Sequence, residues 1–128
     1  MKKVITSENA PKPIGPYSHA NMVPATGNFL FVSGQVAKDA KTGDLILGDI
    51  QSETKKVMEN VKAILTDAGM DFTNVVKTTI FMKDMNNFSL MNEIYGSYFE
   101  GNFPARETVQ VARLPLDVNV EISVIAVK

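Results

Sequence analysis

The sequence predicts an α+β fold in which two helices cover one face of a mixed sheet of about six strands. The first reason is that segments with strand and helix patterns alternate along the chain in the order β-β-α-β-α-β-β. The second is that 128 residues, of which 45% are hydrophobic, are enough for one domain with its own core. Because the chain has no repeat, linker or low-complexity stretch, we expect a single domain over residues 1–128.

The first half of the chain is predicted to hold two short strands and a long amphipathic helix. Residues 29–32 (FLFV) are an apolar run between turn residues, and residues 44–47 begin at the aspartate of a Thr-Gly-Asp turn. Asp49 is suited to cap a helix that continues to Gly69, which suits a left-handed C-terminal position. The apolar face of this helix comprises Val57, Val61, Ile64, Leu65 and Ala68, and its polar faces comprise Glu53, Lys55, Lys56, Glu59 and Lys62.

The second half is predicted to hold a central strand, a second helix and two final strands. Residues 75–83 (VVKTTIFMK) are rich in β-branched side chains, which predicts the central strand. Asn86 or Asn87 then caps a helix that is stopped by Gly101. One stripe of this helix comprises Phe88, Met91, Ile94, Tyr95 and Tyr98. The final strands are predicted over residues 108–113 and 118–127.

One face of the predicted sheet has no helix to cover it. Strand alternation places on that face the apolar side chains of Phe81, Val109, Val111, Ile125 and Val127. An exposed apolar face of that size is typical of a subunit interface. The pattern therefore predicts an oligomer, although it does not define the symmetry.

Composition restricts the chemistry that the chain can perform. There is no cysteine and one histidine, so disulfides, thiolate nucleophiles, Cys-ligated zinc and His-cluster metal sites are excluded. The 13 basic and 14 acidic residues give a net charge of −1, which is not typical of a nucleic-acid-binding surface. No phosphate-binding loop, dinucleotide-binding or EF-hand motif is present, so we assign no nucleotide, flavin or metal cofactor.

The sequence pattern does not predict export or membrane insertion. The apolar run within residues 1–6 is too short for the core of a signal peptide. Nowhere do 18 apolar residues follow one another, the length that a membrane-spanning helix needs. We therefore expect a cytoplasmic protein.

Two segments near turns carry polar side chains that could contact a ligand. Gly-Pro at residues 15–16 fixes a turn that presents Tyr17. The tyrosine could lie at a ligand pocket, but the pattern favours a tight turn with a packing side chain. His19 has no neighbouring carboxylate or nucleophile, which favours a structural or exposed position. Ser33 and Gly34 end a strand, where binding sites are common, but Ser-Gly is also an ordinary turn sequence.

Two charged side chains on the final strands are candidates for chemistry. Arg106 follows the Pro-Ala that starts a strand, so its guanidinium is rigidly placed and is able to bind a carboxylate with two N–H groups. An ion pair, for example with Glu107, is an equally good interpretation. Glu121 lies on an otherwise apolar strand and would either orient a water molecule or pair with Arg106 or a lysine.

Taken together, these segments resemble the RidA/YjgF family. The matching segments, in order, are residues 10–18 (APKPIGPYS), 31–35 (FVSGQ), 75–79 (VVKTT), Phe88 with Asn92 and Tyr95, 104–106 (PAR), 111–115 (VARLP) and 120–122 (VEI). The resemblance implies a chorismate-mutase-like α+β fold. It also implies a homotrimer with ligand clefts between neighbouring subunits.

The resemblance further implies an activity. Family members that resemble the archetype hydrolyse reactive 2-imino acids, such as 2-iminobutanoate and 2-iminopropanoate, or their enamine tautomers to 2-keto acids and ammonia. Pyridoxal-phosphate enzymes such as threonine dehydratase release these species, and their removal prevents damage. The implied protein is a cofactor-independent imine deaminase, a hydrolase that acts on C–N bonds.

Roles for individual residues follow from the same resemblance. Arg106 would bind the substrate carboxylate, and Glu121 would position the attacking water. The other substrate-binding residues would be Tyr17, Ser33, Gly34, Phe88, Asn92 and, through its backbone, Thr108. Because the carbon of a protonated imine is already electrophilic, an arginine, a carboxylate and water are sufficient without Cys or His.

The chain departs from the family pattern directly after the arginine. Glu107 stands where a small residue is usual, and Thr108 stands where cysteine is frequent. A carboxylate in the cleft would repel an anionic substrate, but strand alternation predicts that Glu107 points away from Arg106. The change to Thr108 is expected to be tolerated, since that residue acts through its backbone.

Two other functions stay open at this point. One is a small-ligand-binding or regulatory trimer without turnover, which the unusual Glu107 keeps open. The other is an RNA-directed role, as a translation inhibitor or endoribonuclease, which is the least favoured because the net charge is −1.

Overall fold

Strands and helices alternate along the chain in the computed structural model, which describes residues 2–128. The strands are β1 (Lys3–Ile5), β2 (Ala20–Met22), β3 (Phe29–Gln35), β4 (Val75–Met82), β5 (Ala105–Gln110) and β6 (Val120–Val127). The helices are α1 (Ile50–Asp67) and α2 (Phe88–Gly96), and short 3-10 turns lie at Phe72–Asn74, Met85–Asn87 and Pro115–Asp117. The predicted α+β class with two helices is confirmed.

Four of the strands form a mixed sheet in the order β3-β6-β4-β5. β4 and β5 run parallel because α2 connects them as a crossover, whereas β6 pairs antiparallel with both β3 and β4. β1 and β2 form a separate antiparallel pair. The predicted mixed sheet is therefore confirmed, with the six strands of residues 2–128 divided between two sheets.

Both helices pack on one face of the mixed sheet and bury the core there. Along β6, every second residue from Val120 to Ala126 is buried against them, as the predicted alternation requires. The helices contribute Val57, Met58, Val61, Leu65, Met91 and Tyr95 to the same cluster. This one-sided layer leaves the other face of the sheet open.

α1 begins and ends where the sequence predicts. Asp49 caps it by accepting the N–H of Ser52 at 2.8 Å, and Gly69 after its last turn adopts a φ of +71°. The prediction that Glu53 lies on a polar face is wrong, because this side chain is completely buried. It lies over the start of β6 and accepts hydrogen bonds from the backbone there.

Some strand boundaries differ from the prediction for local reasons. Residues 44–47 form only an isolated bridge, between Lys38 and Leu45. β5 spans Ala105–Gln110 rather than residues 108–113. The reason is that β5 pairs with β4, and Met82, the last residue of β4, lies opposite Gln110. β1 and β2 were not predicted, since three residues each are too few to show alternation.

α2 is shorter than predicted and begins without a side-chain cap. Asn87 occupies the N-cap position, but its side chain makes no capping hydrogen bond. Asp84 caps the preceding 3-10 turn instead, by accepting the N–H of Asn86 at 2.9 Å. The helix ends at Gly96, so Tyr98 lies beyond it.

The face of the mixed sheet opposite the helices carries apolar side chains, as predicted. Phe31 and Val109 on it are 71% and 45% exposed. Half-buried apolar residues on this face are Phe81, Val111 and Ile125. The prediction is wrong for Val127, which is buried and lies beside Gly27. We call this surface the open face, and its composition suits contact with another chain.

Replacement of Gly69 by alanine tests the left-handed end of α1. A Cβ at this position would have no atom within 4 Å, so the cost comes from the positive φ alone. We expect Gly69→Ala to lower the free energy of unfolding by about 1 kcal/mol, measured by urea denaturation. Gly48→Ala is the matched control, since a Cβ there also has open space but φ is not positive. An equal loss in both variants would contradict the explanation.

Candidate functional site

Arg106 lies on β5 at the edge of the mixed sheet, on the face that the helices cover. It is opposite Thr78 of β4, whose side chain is buried beneath α2. The surrounding group, which we call the arginine cluster, comprises Tyr17, Phe88, Asn92, Tyr95 and Arg106. Three of its members come from α2, and Tyr17 comes from the loop before β2.

The guanidinium of Arg106 is held by one hydrogen bond and three aromatic rings. Its Nη1 donates to Oδ1 of Asn92 at 2.5 Å. Its Cζ lies 5.1 Å from the ring centroid of Tyr95 and 5.7 Å from those of Tyr17 and Phe88. Such stacking fixes the orientation of a planar cation. A guanidinium has five N–H donors, and Asn92 is the only side chain of residues 2–128 that accepts from this one.

Burial and the neighbouring rings act in opposite directions on the pKa of Arg106. Burial is the larger effect and lowers the pKa, whereas Tyr95 and Tyr17 raise it. The group stays charged near neutral pH, because the ordinary pKa of a guanidinium is far higher. A charged group that is partly removed from water interacts with an anion more strongly than one that is fully solvated.

Tyr95 forms the floor of the arginine cluster. Its side chain is completely buried, and its hydroxyl donates to Oγ1 of Thr78 at 2.9 Å. Burial raises the pKa of Tyr95 to about 12, so the hydroxyl is neutral near pH 7. The sequence prediction placed Tyr95 on an apolar stripe and gave it no part in the site. The available signal was a hydroxyl at a core position, which requires a buried partner.

The loop that carries Tyr17 is tied to the segment before β5. The buried side chain of Ser18 donates through Oγ to the carbonyl oxygen of Phe103 at 2.5 Å. A Cβ at Gly15 would lie 3.4 Å from Nδ2 of Asn92, so the Gly-Pro turn packs closely against α2. The tight-turn interpretation therefore describes the backbone here, while the tyrosine ring belongs to the arginine cluster.

His19 has a structural position in the same loop. Its Nδ1 accepts the N–H of Ser7 at 3.0 Å, and its Nε2 lies 2.6 Å from the carbonyl oxygen of Pro11. These contacts fit a neutral imidazole that carries its proton on Nε2. Both ring nitrogens are used by the backbone, in agreement with the structural interpretation.

Glu121 lies on the open face, in a second group that we call the glutamate cluster: Ser33, Gly34 and Glu121. The ladder between β3 and β6 is interrupted by a bulge between Val32 and Gln35, which moves the two residues between them out of register. A Cβ on Gly34 would overlap the Glu121 carboxylate. Only glycine therefore lets the carboxylate lie in this place.

The arginine and glutamate clusters lie on opposite faces of the sheet. Thr78 is opposite both Arg106 and Val124, and Val124 is buried on the helix face. Glu121 is three residues from Val124 on the same strand, an odd number, so its side chain points to the open face. The interpretation of Glu121 as a partner of Arg106 is wrong within one chain. Any site that uses both residues needs two chains.

The residues that follow Arg106 alternate between the two faces. Glu107 points to the open face and forms an ion pair with Lys77, whose Nζ lies 2.7 Å from its Oε1. Thr108 returns to the face of Arg106, opposite Ile80. Its Oγ1 is buried and has no hydrogen-bond partner within residues 2–128. Glu107 therefore pairs with Lys77 and not with the guanidinium of Arg106 in the same chain.

One cavity in the described part of the chain is separate from both clusters. It has a volume of about 880 Å³ and lies between β1, the end of α1 and the loop after α2. Phe72, Tyr98 and Phe99 form an aromatic wall, and two lysines and two acidic residues balance each other at its rim. This lining does not favour one class of ligand, whereas the arginine cluster does.

The two clusters hold the charged groups that are placed for chemistry. Within residues 2–128, no three His, Cys, Asp or Glu side chains come together as a metal ion would require. None of the helices described there combines the length and the apolar character that crossing a membrane needs. What the arrangement can do chemically is hold a carboxylate at one edge of the sheet and present a carboxylate of its own on the open face.

Comparison with known proteins finds close relatives over the whole chain. A family model described as Endoribonuclease L-PSP matches residues 7–128. A RutC family protein of Pyrococcus horikoshii is 54% identical over 128 residues, which is 100% of this chain and 99% of that protein. The human 2-iminobutanoate/2-iminopropanoate deaminase is 44% identical over 128 residues, 100% of this chain and 91% of that protein. Among solved structures, E. coli TdcF with bound serine shares 40% sequence identity with this chain. The match covers 98% of each chain, with a TM-score of 0.75.

The fold and the arginine cluster define a small α+β domain with a rigidly held cationic surface at the edge of its sheet. The chain belongs to the RidA/YjgF family, which includes the solved YjgF protein of E. coli. The predicted membership is thereby confirmed. The names of its relatives include imine deaminase, and the family model itself is named for an endoribonuclease.

Alkaline unfolding tests the burial of Tyr95. Its pKa is raised by folding, so its contribution to stability is complete below pH 10 and is lost as the pH rises towards about 12. We expect the free energy of unfolding to fall more between pH 8 and pH 11 in the wild type than in Tyr95→Phe, by about 1 kcal/mol. Urea denaturation at pH 8 and pH 11 measures the difference. Parallel curves for the two proteins would contradict it.

Proposed function

We propose that this protein hydrolyses reactive 2-imino acids, such as 2-iminobutanoate and 2-iminopropanoate, and their enamine tautomers to 2-keto acids and ammonia. It would act in the cytoplasm, without a cofactor, to remove metabolites that cause damage. The arginine cluster supports this activity, since it suits the carboxylate that every 2-imino acid carries. The 44% identity to a human protein named for this reaction also supports it.

The fixed guanidinium of Arg106 is the observation that carries the proposal. A half-buried arginine with one N–H on Asn92 and three rings around it keeps donors for a ligand in one orientation. A carboxylate accepts two parallel N–H groups from such a fork. The related TdcF is solved with bound serine, which also carries a carboxylate beside a nitrogen.

The reaction asks little of the protein beyond orientation. Water adds through its oxygen to C2 of the protonated imine, one of its protons passes to Glu121, and the C=N bond becomes single. The carbinolamine nitrogen then takes up this proton from Glu121 and the C–N bond breaks, while the hydroxyl oxygen forms the C=O bond of the keto acid. The hydroxyl proton passes to Glu121 and from there to the departing ammonia, which is released as ammonium. An enamine first gains a proton at C3, which converts it to the imine.

The complete site would form between two chains of a homotrimer. Arg106 and Glu121 point to opposite faces of their own sheet, so one chain would supply the arginine cluster and its neighbour the glutamate cluster. The exposed apolar residues of the open face support such an assembly. Tyr17 and Phe88 would line the cleft and Asn92 would orient the guanidinium. Hydrogen bonds would come from Ser33, Gly34 and the backbone of Thr108.

Binding without turnover is the second candidate function. The serine in the TdcF structure favours it, because a small amino acid is held there by a relative of similar fold. The name of the family model points to a third function, RNA cleavage. The net charge of −1 does not favour a surface that binds many phosphates.

Removal of Arg106 tests the deaminase function. Threonine dehydratase generates 2-iminobutanoate in the assay, and the rate of keto-acid release is followed with and without the protein. We expect Arg106→Ala to lower kcat/KM about 100-fold or more, and Arg106→Lys to restore only part, since lysine lacks the planar fork. Lys55→Ala, which removes an exposed cation from α1, is the control and is expected to be fully active.

The same assay separates the three functions. Tight binding of a 2-keto acid without any acceleration by the wild type would favour a ligand-binding protein. Salt-sensitive RNA cleavage that survives Arg106→Ala would favour the RNA-directed role. Full activity of Arg106→Ala in imine hydrolysis would contradict the proposed site.

Mixed oligomers test whether the two clusters act across chains. Arg106→Ala and Glu121→Gln are each expected to be inactive alone, because every site then lacks one half. After the two variants are unfolded and refolded together in equal amounts, about a quarter of the sites combine two intact halves, so about a quarter of the activity returns. Each variant refolded alone is the control. An inactive mixture would show that the two residues do not meet across chains.

A further inference from the structure

Glu53 is a buried carboxyl group that neither cluster uses. It lies in the first turn of α1 and is completely buried. Its Oε2 accepts the backbone N–H groups of Asn119 at 2.8 Å and Val120 at 3.3 Å, and its Oε1 accepts Nδ2 of Asn119 at 2.7 Å. No lysine or arginine of residues 2–128 forms an ion pair with it. Its hydrogen bonds all go to the start of β6.

The turn before β6 is strained. Leu116 and Asp117 adopt φ values of 59° and 53°, a left-handed conformation that side chains disfavour. After two further residues the chain enters β6 in register with β4, where Val120 lies opposite Met82. Glu53 therefore holds the chain, from α1, at the point where it leaves the turn and joins the sheet.

Glu121 is the next residue after this point. Its carboxyl group packs so closely on Gly34 that a Cβ there would overlap it. A shift in the first residues of β6 therefore moves the carboxyl group relative to the rest of the glutamate cluster. A slip of one residue would turn it to the helix face.

We propose that Glu53 is a positioning residue, which sets the place of the Glu121 carboxylate on the open face by hydrogen-bonding Asn119 and Val120. The catalytic part of this role rests on the proposed function, in which Glu121 positions the attacking water. The arginine cluster lies on the same face of the sheet as α1, but Glu53 takes no part in the hydrogen bond or the aromatic contacts that hold Arg106. Disturbance of Glu53 is therefore expected to lower kcat while the binding of a carboxylate persists.

Exchange of the two interacting side chains tests the role. In the wild type, Nδ2 of Asn119 donates to Oε1 of Glu53. Asn119→Asp replaces this donor by a second carboxyl group, and we expect kcat to fall about tenfold or more. Addition of Glu53→Gln supplies a donor for the new aspartate, and we expect kcat to return to within about threefold of wild type. Glu53→Gln alone is expected to keep kcat, because the Asn119 amide can turn over and accept from glutamine.

Two measurements distinguish positioning from general stability. The Kd for 2-ketobutyrate, a stable anion for the arginine cluster, is expected to change less than about twofold in every variant. The ¹³C carboxyl NMR signal of Glu121, assigned by its absence in Glu121→Gln, is expected to move in Asn119→Asp and to return in the double variant. Thr54→Val is the matched control, since Thr54 is the next buried residue of α1 and its Oγ1 has no partner within residues 2–128.

The outcomes separate this role from the proposed function. If the wild type does not hydrolyse imines, the proposed function fails, and the NMR signal still decides whether Glu53 sets the position of Glu121. Unchanged kcat and an unmoved Glu121 signal in Asn119→Asp overturn the role. The role is also overturned if the double variant regains thermal stability while the NMR signal of Glu121 does not return. A loss of 2-ketobutyrate binding as large as the loss of kcat overturns it as well. Should Asn119→Asp not fold, Asn119→Ala removes only the side-chain hydrogen bond and is read in the same way.

Discussion

The pairing of β4 with β6 is the constraint on which the rest of the structure depends. Its register buries one face of both strands beneath the helices and sends the alternate residues to the open face. Through Thr78 it places Arg106 on the helix face, and through Phe81 it places Glu121 on the open face. A slip of β6 by one residue would turn Glu121 to the helix face. The separation of the two clusters is therefore a property of the sheet itself.

The arginine cluster shows how a chain without cysteine and with one structural histidine can still hold a charged group ready for an anion. Aromatic rings and an amide hold the guanidinium in place, and partial removal from water strengthens its attraction for an anion. A substrate that is already electrophilic needs orientation and a positioned water more than a strong nucleophile. Composition, site geometry and the proposed imine hydrolysis are consistent with one another.

The predictability of each residue depended on how local its signal was. Arg106 and Glu121 are recognisable as candidates because a charge beside a strand-starting Pro-Ala, or within an apolar strand, is unusual in the sequence alone. Tyr95 was predicted only as part of an apolar stripe, since its contact with Arg106 depends on how α2 crosses the sheet. Glu53 stands among lysines and looks solvated, yet the start of β6, more than 60 residues later in the chain, covers it. Such long-range contacts leave no periodic trace near the residue that makes them.

By itself, the sequence determined the α+β class, the two helices with the caps of α1, the central strands and the set of residue types available for chemistry. These follow from hydrophobic periodicity, turn residues and composition, which act over a few neighbouring residues. Only the tertiary structure decided that β1 and β2 pair apart from the main sheet, that Glu107 binds Lys77, and that Arg106 and Glu121 face opposite ways. The reason is that strand register and helix packing bring together segments that are distant in the chain, and no local pattern encodes which of them meet.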